Sequence, residues 1–138
     1  MIYKSSWWSV ELPSSWHGYP DADCTTFRAD TSDGGVLQIS AACKDTGIVT
    51  DQDLQEFALD RLVAGAPFDS VRFRECSGFT TRFRKGGLSW QEWWLKLENL
   101  IIYATYNIVS EKEHSEQQAV VSILSSLANL TPNRLPAA

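Results

Sequence analysis

The stretch Trp90-Gln91-Glu92-Trp93-Trp94-Leu95-Lys96-Leu97 is the most strand-like part of the chain. Successive side chains of a strand point to opposite faces of a sheet. Trp90 and Trp94 therefore share one face, and Trp93 lies on the other. Because indole rings bury large apolar areas, we expect a cover on both faces of this strand, supplied by a helix, a ligand or a partner.

Two short turns flank this strand. Gly86-Gly87 precedes it and Glu98-Asn99 follows it, and both pairs predict two-residue hairpin turns. Paired residues of an antiparallel ladder share a face, so the turns assign every side chain to one side. One face then carries Phe79, Phe83, Trp90, Trp94, Ile101 and Tyr103, with Thr81, Glu92 and Lys96 among them. The other carries Trp93, Leu95, Leu97, Leu100, Ile102 and Ala104, and turns polar at Arg82, Arg84 and Gln91. A three-residue loop at Gly86-Gly87 would instead move Phe79 and Phe83 to the opposite face.

The remaining elements follow from periodicity and turn residues. Strands are predicted at 7–12, 25–29, 36–41, 71–76, 79–84, 88–97 and 100–108, with a loop at 14–23. Thr50 and Asp53 resemble a capping box at the start of a helix over 50–64, and a longer helix is predicted over 111–130, closed by Asn129 and Pro132. The order β-β-β-α-β-β-β-β-α predicts an α+β fold: an antiparallel meander sheet of about six to seven strands with helices on both faces. We expect one domain over 1–138, with a flexible tail at 131–138.

The two faces of the sheet differ in the helix available to cover them. The aliphatic face around Trp93 suits the aliphatic stripe of the C-terminal helix. The aromatic face around Trp94 is left to the helix at 50–64, which spans only about four turns. We therefore expect part of the aromatic face to remain for a loop or a partner.

Composition excludes several classes of function. A net charge of −5 argues against nucleic acid or an anionic membrane as the main partner. Cys24, Cys43 and Cys76 show no CxxC spacing, which favours reduced thiols and a cytoplasmic location. No apolar run is long enough to predict a membrane span.

The chain also lacks the spacing of a catalytic or metal site. His17 and His114 belong to no paired ligand motif, and no phosphate-binding glycine loop or nucleophile elbow is present. We therefore predict no catalytic residue, no metal and no cofactor.

The order of elements resembles the Mog1/PsbP-like superfamily of small α/β/α sandwiches, which includes DcrB-like domains and chaperones associated with type VI secretion. The matching pieces are Trp8-Ser9-Val10-Glu11-Leu12-Pro13-Ser14-Ser15-Trp16, Val36-Leu37-Gln38-Ile39-Ser40 before the first helix, and the hairpin 90–108 followed by a terminal helix. This resemblance implies a non-enzymatic bacterial scaffold that binds other proteins, and it carries no catalytic residue onto this sequence.

Two functions remain open at this point. The first is a cytoplasmic, non-enzymatic protein-binding module, such as an immunity protein or a secretion-associated chaperone, whose partner would be a secreted effector or toxin. Its candidate contact residues are Trp90, Trp94, Tyr103 and Phe83, with Arg82 and Arg84 at a rim, because Trp, Tyr and Arg most often anchor interfaces. The alternative is a small-molecule binder or an enzyme with an aromatic-lined pocket around Glu92, which would act as acid or base. Against that alternative, Glu92 could simply pair with Lys96 or Arg84 at a sheet edge.

Overall fold

The computed structural model describes residues 1–31 and 33–131. The strands are β1 (Ile2–Lys4), β2 (Trp8–Glu11), β3 (Trp16–Pro20), β4 (Thr25–Ala29), β5 (Val36–Cys43), β6 (Asp69–Arg72), β7 (Ser77–Lys85), β8 (Leu88–Leu97), β9 (Leu100–Val109) and β10 (Ala128–Asn129). The helices are α1 (Asp51–Phe57), α2 (Leu59–Val63) and α3 (Gln117–Ser125), with a 3₁₀ turn at Ser110–Lys112.

The strands form two antiparallel sheets. The larger has seven strands in the order β3-β4-β5-β9-β8-β7-β6, and the smaller has three in the order β1-β2-β10. The larger sheet therefore consists of two meanders joined where β5 pairs with β9. This arrangement confirms an α+β fold built mostly of antiparallel sheet.

The hairpins around β8 have the predicted register. Lys85 pairs with Leu88 across Gly86-Gly87, and Leu97 pairs with Leu100 across Glu98-Asn99. Both turns thus have two residues, and the three-residue alternative is wrong. Phe79 and Phe83 consequently lie on the same face as Trp94 and Trp90, their partners across the ladder.

The face around Trp93 carries the larger core. Trp93 is 1% exposed and packs in one cluster with buried residues of several elements. That cluster includes Val120, Ile123 and Leu124 of α3, Trp8 and Val10 of β2, and Phe27, Leu37 and Ile39 of the neighbouring strands. The C-terminal helix therefore covers this face as predicted, and β2 of the three-stranded sheet packs on it as well.

The face around Trp94 is covered by α1, α2 and the segments next to them. Thr50 caps α1 with a reciprocal bond pair to Asp53, so the predicted capping box is confirmed. Leu54 and Ala58 are buried against Trp94, with Leu62 and Phe68 beside them. The predicted helix over 50–64 is instead divided into two short helices that meet at Ala58.

Three short strands were not predicted, namely β1, β3 and β10. β3 replaces the expected loop at 14–23, and it pairs with β4 across its full length. Among the described strands, β1 and β10 form ladder pairs only with β2. β1 and β10 have only three and two residues. An alternating pattern needs a longer run to predict a strand, so the sequence did not indicate them.

The C-terminal helix is shorter than predicted. His114 adopts a left-handed backbone with φ 82°, so the segment 111–116 cannot continue a regular helix. The helix begins at Gln117 and ends at Ser125. Asn129 then lies in β10, where its side chain donates to Leu97 O and Asn99 Oδ1.

Pro132 and most of the expected flexible tail at 131–138 lie outside the described residues, which omit 32 and 132–138. Thr131 is described and buried, and its Oγ1 hydrogen-bonds with Asn99 and Asn129. None of the helices in the described ranges is both long and apolar enough to cross a bilayer.

Candidate functional site

The sheet face that carries Trp94 is only half covered. Phe83, Trp90, Asn107 and Val36 occupy one line across the sheet, since each pairs with the next across a ladder. All four are half-buried. We call this uncovered region, together with Thr105 and Gln38 on the neighbouring line, the open face.

A stacked aromatic pair lies at the β7 end of the open face. The Phe83 and Trp90 rings have centroids 6.0 Å apart and planes inclined by only 3°. The guanidinium of Arg61 lies 5.3 Å from the Phe83 ring centroid, within the range of a cation–π contact. The open face therefore presents an ordered aromatic surface to solvent.

Trp94 does not belong to this surface. It is 2% exposed, and its ring contacts Phe79 at 5.5 Å and Phe68 at 5.6 Å between centroids. The expectation that a partner could reach Trp94 is corrected, because Leu54, Ala58 and Phe68 cover the ring on the side that the sheet leaves free.

Tyr103 is half-buried and lies between Trp94 and Phe57. Its ring centroid is 5.5 Å from that of Trp94 and 6.4 Å from that of Phe57. Its hydroxyl donates to Glu92 Oε2. Burial, reinforced by this hydrogen bond to a carboxylate, raises the pKa of Tyr103, so the hydroxyl stays protonated and acts as a donor.

Glu92 is a buried carboxylate paired with an arginine from another element. It is 2% exposed, and Arg61 of α2 places Nε 3.0 Å from its Oε1 and Nη2 3.4 Å from its Oε2. No described donor is aligned on Oε1 for a hydrogen bond. The expected pairing with Lys96 or Arg84 is wrong, since Lys96 pairs with Asp51 and Arg84 with Glu113.

This environment does not favour Glu92 as a catalytic acid or base. Arg61 and Tyr103 contact its oxygens, and Glu92 does not line the three clefts whose walls are formed by Arg82 and Gln117, by Asp53 and Phe57, and by Trp7 and Thr25. Its contacts join α2 to the sheet, which is a structural role.

Arg82 and Arg84 are exposed on the face opposite Phe83. Arg84 makes a two-point contact with Glu113, through Nε at 3.3 Å and Nη2 at 2.9 Å. Ser89 Oγ also donates to Glu113 at 2.6 Å. The Arg84 guanidinium, followed by the Ser89 hydroxyl, lowers the pKa of Glu113 to about 2. Arg82 makes no hydrogen bond or ion pair with any other described residue.

A cleft of about 260 Å³ lies beside these arginines. Side chains of the neighbouring strands β7, β8 and β9 form the floor of the cleft. Residues 113–117, which follow β9, form one side of it. The residues lining it include Arg82, Arg84, Gln91, Tyr106, His114 and Gln117. Gln91 donates from Nε2 to Thr80 Oγ1 at 3.0 Å, and no described residue donates to its Oε1.

The cysteines and histidines do not assemble a reactive site within the described ranges. No cluster of three His, Cys, Asp or Glu residues that could hold a metal ion occurs there. Burial, with a smaller contribution from Glu75, raises the pKa of Cys76 to about 12, so its thiol is protonated at neutral pH. His17 lies 2.7 Å from Asp30, and both are exposed.

The sequence did not predict two residues, Arg61 at the open face and Gln117 in the cleft. Arg61 belongs to a different element from Phe83 and Glu92, and only the packing of α2 on the sheet brings it to them. Gln117 enters the cleft because the chain turns at His114 before α3 begins. Histidine is among the residue types that adopt positive φ more often than most, but it does so too rarely for the sequence to predict the turn at His114.

The comparisons with known proteins show the fold and leave the family open. No protein-family model matches the chain, and no curated protein matches it significantly. A crystal structure of a protein from Bacteroides thetaiotaomicron VPI-5482, at 1.50 Å resolution, is similar with a TM-score of 0.70 and 14% identity. The alignment covers 96% of this chain and 49% of that one, so the chain spans about half the length of this neighbour. At that identity the likeness extends to the fold alone.

Proposed function

We propose that this chain is a non-enzymatic protein-binding module whose partner docks on the open face. The observation that carries the proposal is the stacked Phe83–Trp90 pair, which is half-buried on a part of the sheet that α1 and α2 leave uncovered. A rigid aromatic pair of this kind loses little conformational freedom when it is covered, and Trp and Arg are frequent interface anchors.

The contact residues of this proposal differ from the initial set. Phe83 and Trp90 form the centre, and Tyr103 and Arg61 continue it toward α1 and α2. Arg82 and Arg84 lie on the opposite face and form a rim that a partner reaches around the edge of β7. Trp94 is removed from the set because it is buried beneath Leu54 and Phe68.

The family assignment is part of the same proposal. We place the chain among Mog1/PsbP-like α/β/α sandwiches, supported by the packing of α3 on the Trp93 face and of α1 on the Trp94 face. That placement favours a bacterial cytoplasmic immunity protein or secretion-associated chaperone, whose partner is a secreted toxin or effector. The net charge of −5 supports a protein partner over nucleic acid.

The test is co-purification of the tagged chain with the products of its neighbouring genes. Trp90→Ala and Phe83→Ala are each expected to weaken capture by at least about tenfold, the size of an interface hot spot. Tyr19→Ala is the matched control, because Tyr19 is 55% exposed on β3, at the opposite edge of the sheet. Equal capture by the wild type and both aromatic variants would overturn the proposal, as would the absence of any captured neighbour product.

A small-molecule binder is the second candidate, and the structure favours the cleft rather than Glu92 as its location. Arg82 offers an unpaired guanidinium there, and Gln91 offers an acceptor without a described donor. A thermal-shift series with small hydroxycarboxylic acids is expected to raise the melting temperature of the wild type but not of Arg82→Ala. The absence of a shift in the wild type would eliminate this candidate.

A further inference from the structure

The outer edge of β7 is unpaired over its second half. β6 pairs only with Ser77–Thr80, from Arg72 opposite Ser77 to Asp69 opposite Thr80. No ladder pair precedes Asp69, and Pro67, before β6, contacts β7 through a side chain, since Thr81 Oγ1 donates to Pro67 O at 2.7 Å. No other described strand continues along the edge from Arg82 to Lys85.

The turn geometry determines which backbone groups face outward. Gly86 and Gly87 have φ of 61° and 76°, the signature of a type I′ turn. In such a hairpin the closing pair, here Lys85 and Leu88, exchanges hydrogen bonds, and bonded and non-bonded pairs then alternate along the ladder. Phe83 therefore bonds to β8, whereas Arg82 and Arg84 direct their N–H and C=O groups away from it.

The side chains along this edge alternate in character. Phe83 lies on the open face, stacked on Trp90. Arg82 and Arg84 lie on the opposite face, beside the cleft, and both are exposed. A strand added at this edge would alternate in the same way, with one set of side chains near Phe83 and the other near the arginines.

We propose that the edge from Arg82 to Lys85 receives an extended segment of the partner by strand addition. The segment alternates apolar residues, which pack beside Phe83 on the open face, with acidic residues, which face the unpaired guanidinium of Arg82 and compete with Glu113 for that of Arg84. This inference rests on the proposed protein-binding function and specifies how the partner binds. Backbone hydrogen bonds supply affinity in this mode, and the alternating side chains supply specificity.

The unpaired charge of Arg82 disfavours a second copy of this chain as the occupant. In an antiparallel edge-to-edge dimer centred on Phe83, Arg82 of one copy would lie opposite Arg84 of the other. Like charges directly opposite one another destabilise a strand pair, and basic residues at an edge are a known protection against self-association. An acidic segment turns that repulsion into attraction.

The test uses two synthetic octapeptides of identical composition. One alternates Glu with Phe or Val, and the other places its four Glu residues before its four apolar residues. The alternating peptide is expected to bind at least about tenfold more tightly. NMR hydrogen exchange is expected to show the amides of Arg82 and Arg84 exchanging rapidly in the free protein and slowly in the complex.

Two variants of Arg84 separate the contribution of its backbone N–H to peptide affinity from the contribution of its side chain. Arg84→Pro removes the outward N–H together with the guanidinium, and an edge strand tolerates proline where its N–H faces solvent. Arg84→Ala removes the guanidinium and keeps the N–H, so both variants lose the ion pair with Glu113 and differ only in the backbone. We expect Arg84→Pro to bind the alternating peptide at least about tenfold more weakly than Arg84→Ala, with near-UV circular dichroism confirming that both are folded.

The outcomes distinguish this inference from the proposed function. Equal affinity for the two peptides, or unprotected Arg82 and Arg84 amides at saturation, would overturn strand addition, and so would the failure of both peptides to bind. If one of these results is found and Trp90→Ala still fails to capture the product of a neighbouring gene, the partner binds the open face but does not add a strand.

Discussion

At the scale of single residues, Glu92 is a buried carboxylate held by two partners. Its carboxylate lies in the middle of the sheet, at 2% exposure, and contacts Arg61 and Tyr103. A buried charge is costly unless it is paired. Arg61 therefore stabilises Glu92 and at the same time lies over Phe83, joining α2 to the proposed binding surface.

Arg61→Ala is expected to lower the free energy of unfolding by about 1–3 kcal/mol, because the buried carboxylate loses its counter-charge. Half of the Arg61 side chain is exposed, at 49%, which keeps the expected loss below that of a fully buried pair. Urea unfolding measures the effect. The double variant Arg61→Ala with Glu92→Gln is expected to recover part of the loss, and no recovery would contradict a charge-based explanation.

Glu113 gives the stability of the protein a defined dependence on pH. Its carboxyl has an ordinary pKa of 4.5 and a folded pKa of about 2. Between these values the unfolded chain binds more protons than the folded one. The stabilisation by Glu113 is therefore complete above about pH 4.5 and is lost as the pH falls toward 2.

Glu113→Gln is expected to flatten this part of the stability profile. The wild type should lose more unfolding free energy than the variant as the pH falls from about 4.5 to 2. Asp33 and Asp53 also have lowered pKa values, owing mainly to Lys112 and Lys44 respectively, and they are common to both proteins. Unfolding curves measured across this range test the difference, and parallel profiles would contradict the role of Glu113.

At the scale of elements, the hairpin of β7 and β8 organises both the core and the proposed site. Its turn places Trp93 in the core and Phe83 beside Trp90 on the open face. It also decides that Arg82 and Arg84, rather than Phe83, direct their backbone groups outward. The conformation of two glycines thus controls the surface offered to a partner.

Gly87→Ala is expected to destabilise the protein by about 1–2 kcal/mol, since φ is 76° there and an L residue disfavours that region. A Cβ at Gly86 or Gly87 would meet no atom within 4 Å, so the effect isolates the backbone. Gly86→Asn is the matched control, because Asn tolerates positive φ in this turn. Thermal unfolding compares the two, and a larger loss for Gly86→Asn would contradict the turn assignment.

At the scale of the whole molecule, the two sides of the large sheet are covered unequally. On the Trp93 side, α3 buries Val120, Ile123 and Leu124. On the Trp94 side, α1 buries only Leu54 and α2 buries no residue. The α1–α2 layer therefore has less apolar contact to hold it in place.

Hydrogen exchange followed by mass spectrometry is expected to reflect this inequality. Amides of α1 and α2 should exchange faster than those of α3, because local opening requires less buried surface to be exposed. The paired interiors of β8 and β9 should exchange most slowly. Protection of α1 equal to that of α3 would show that the two layers are held equally well.

Much of the sheet was predictable because its register is set locally. Two-residue turns at Gly86-Gly87 and Glu98-Asn99 assigned the faces of three strands, and the structure confirms them. The C-terminal helix was predicted too long, since residues 111–116 have polar side chains compatible with a helix while His114 adopts positive φ. The burial of Trp94 was missed because it depends on how Leu54 and Phe68 pack, which no local pattern encodes.

The sequence by itself determined the faces of the central strands, the capped start of α1 and the aromatic and aliphatic character of the two sides, because alternation and turn type act over a few residues. Only the tertiary structure decided that Trp94 is buried while Phe83 and Trp90 are half-buried. It also decided that Arg61 pairs with Glu92 and that β6 leaves the β7 edge unpaired at Arg82 and Arg84. Each of these three features depends on how helices and strands that are distant in the chain pack together, and no local sequence pattern determines that packing.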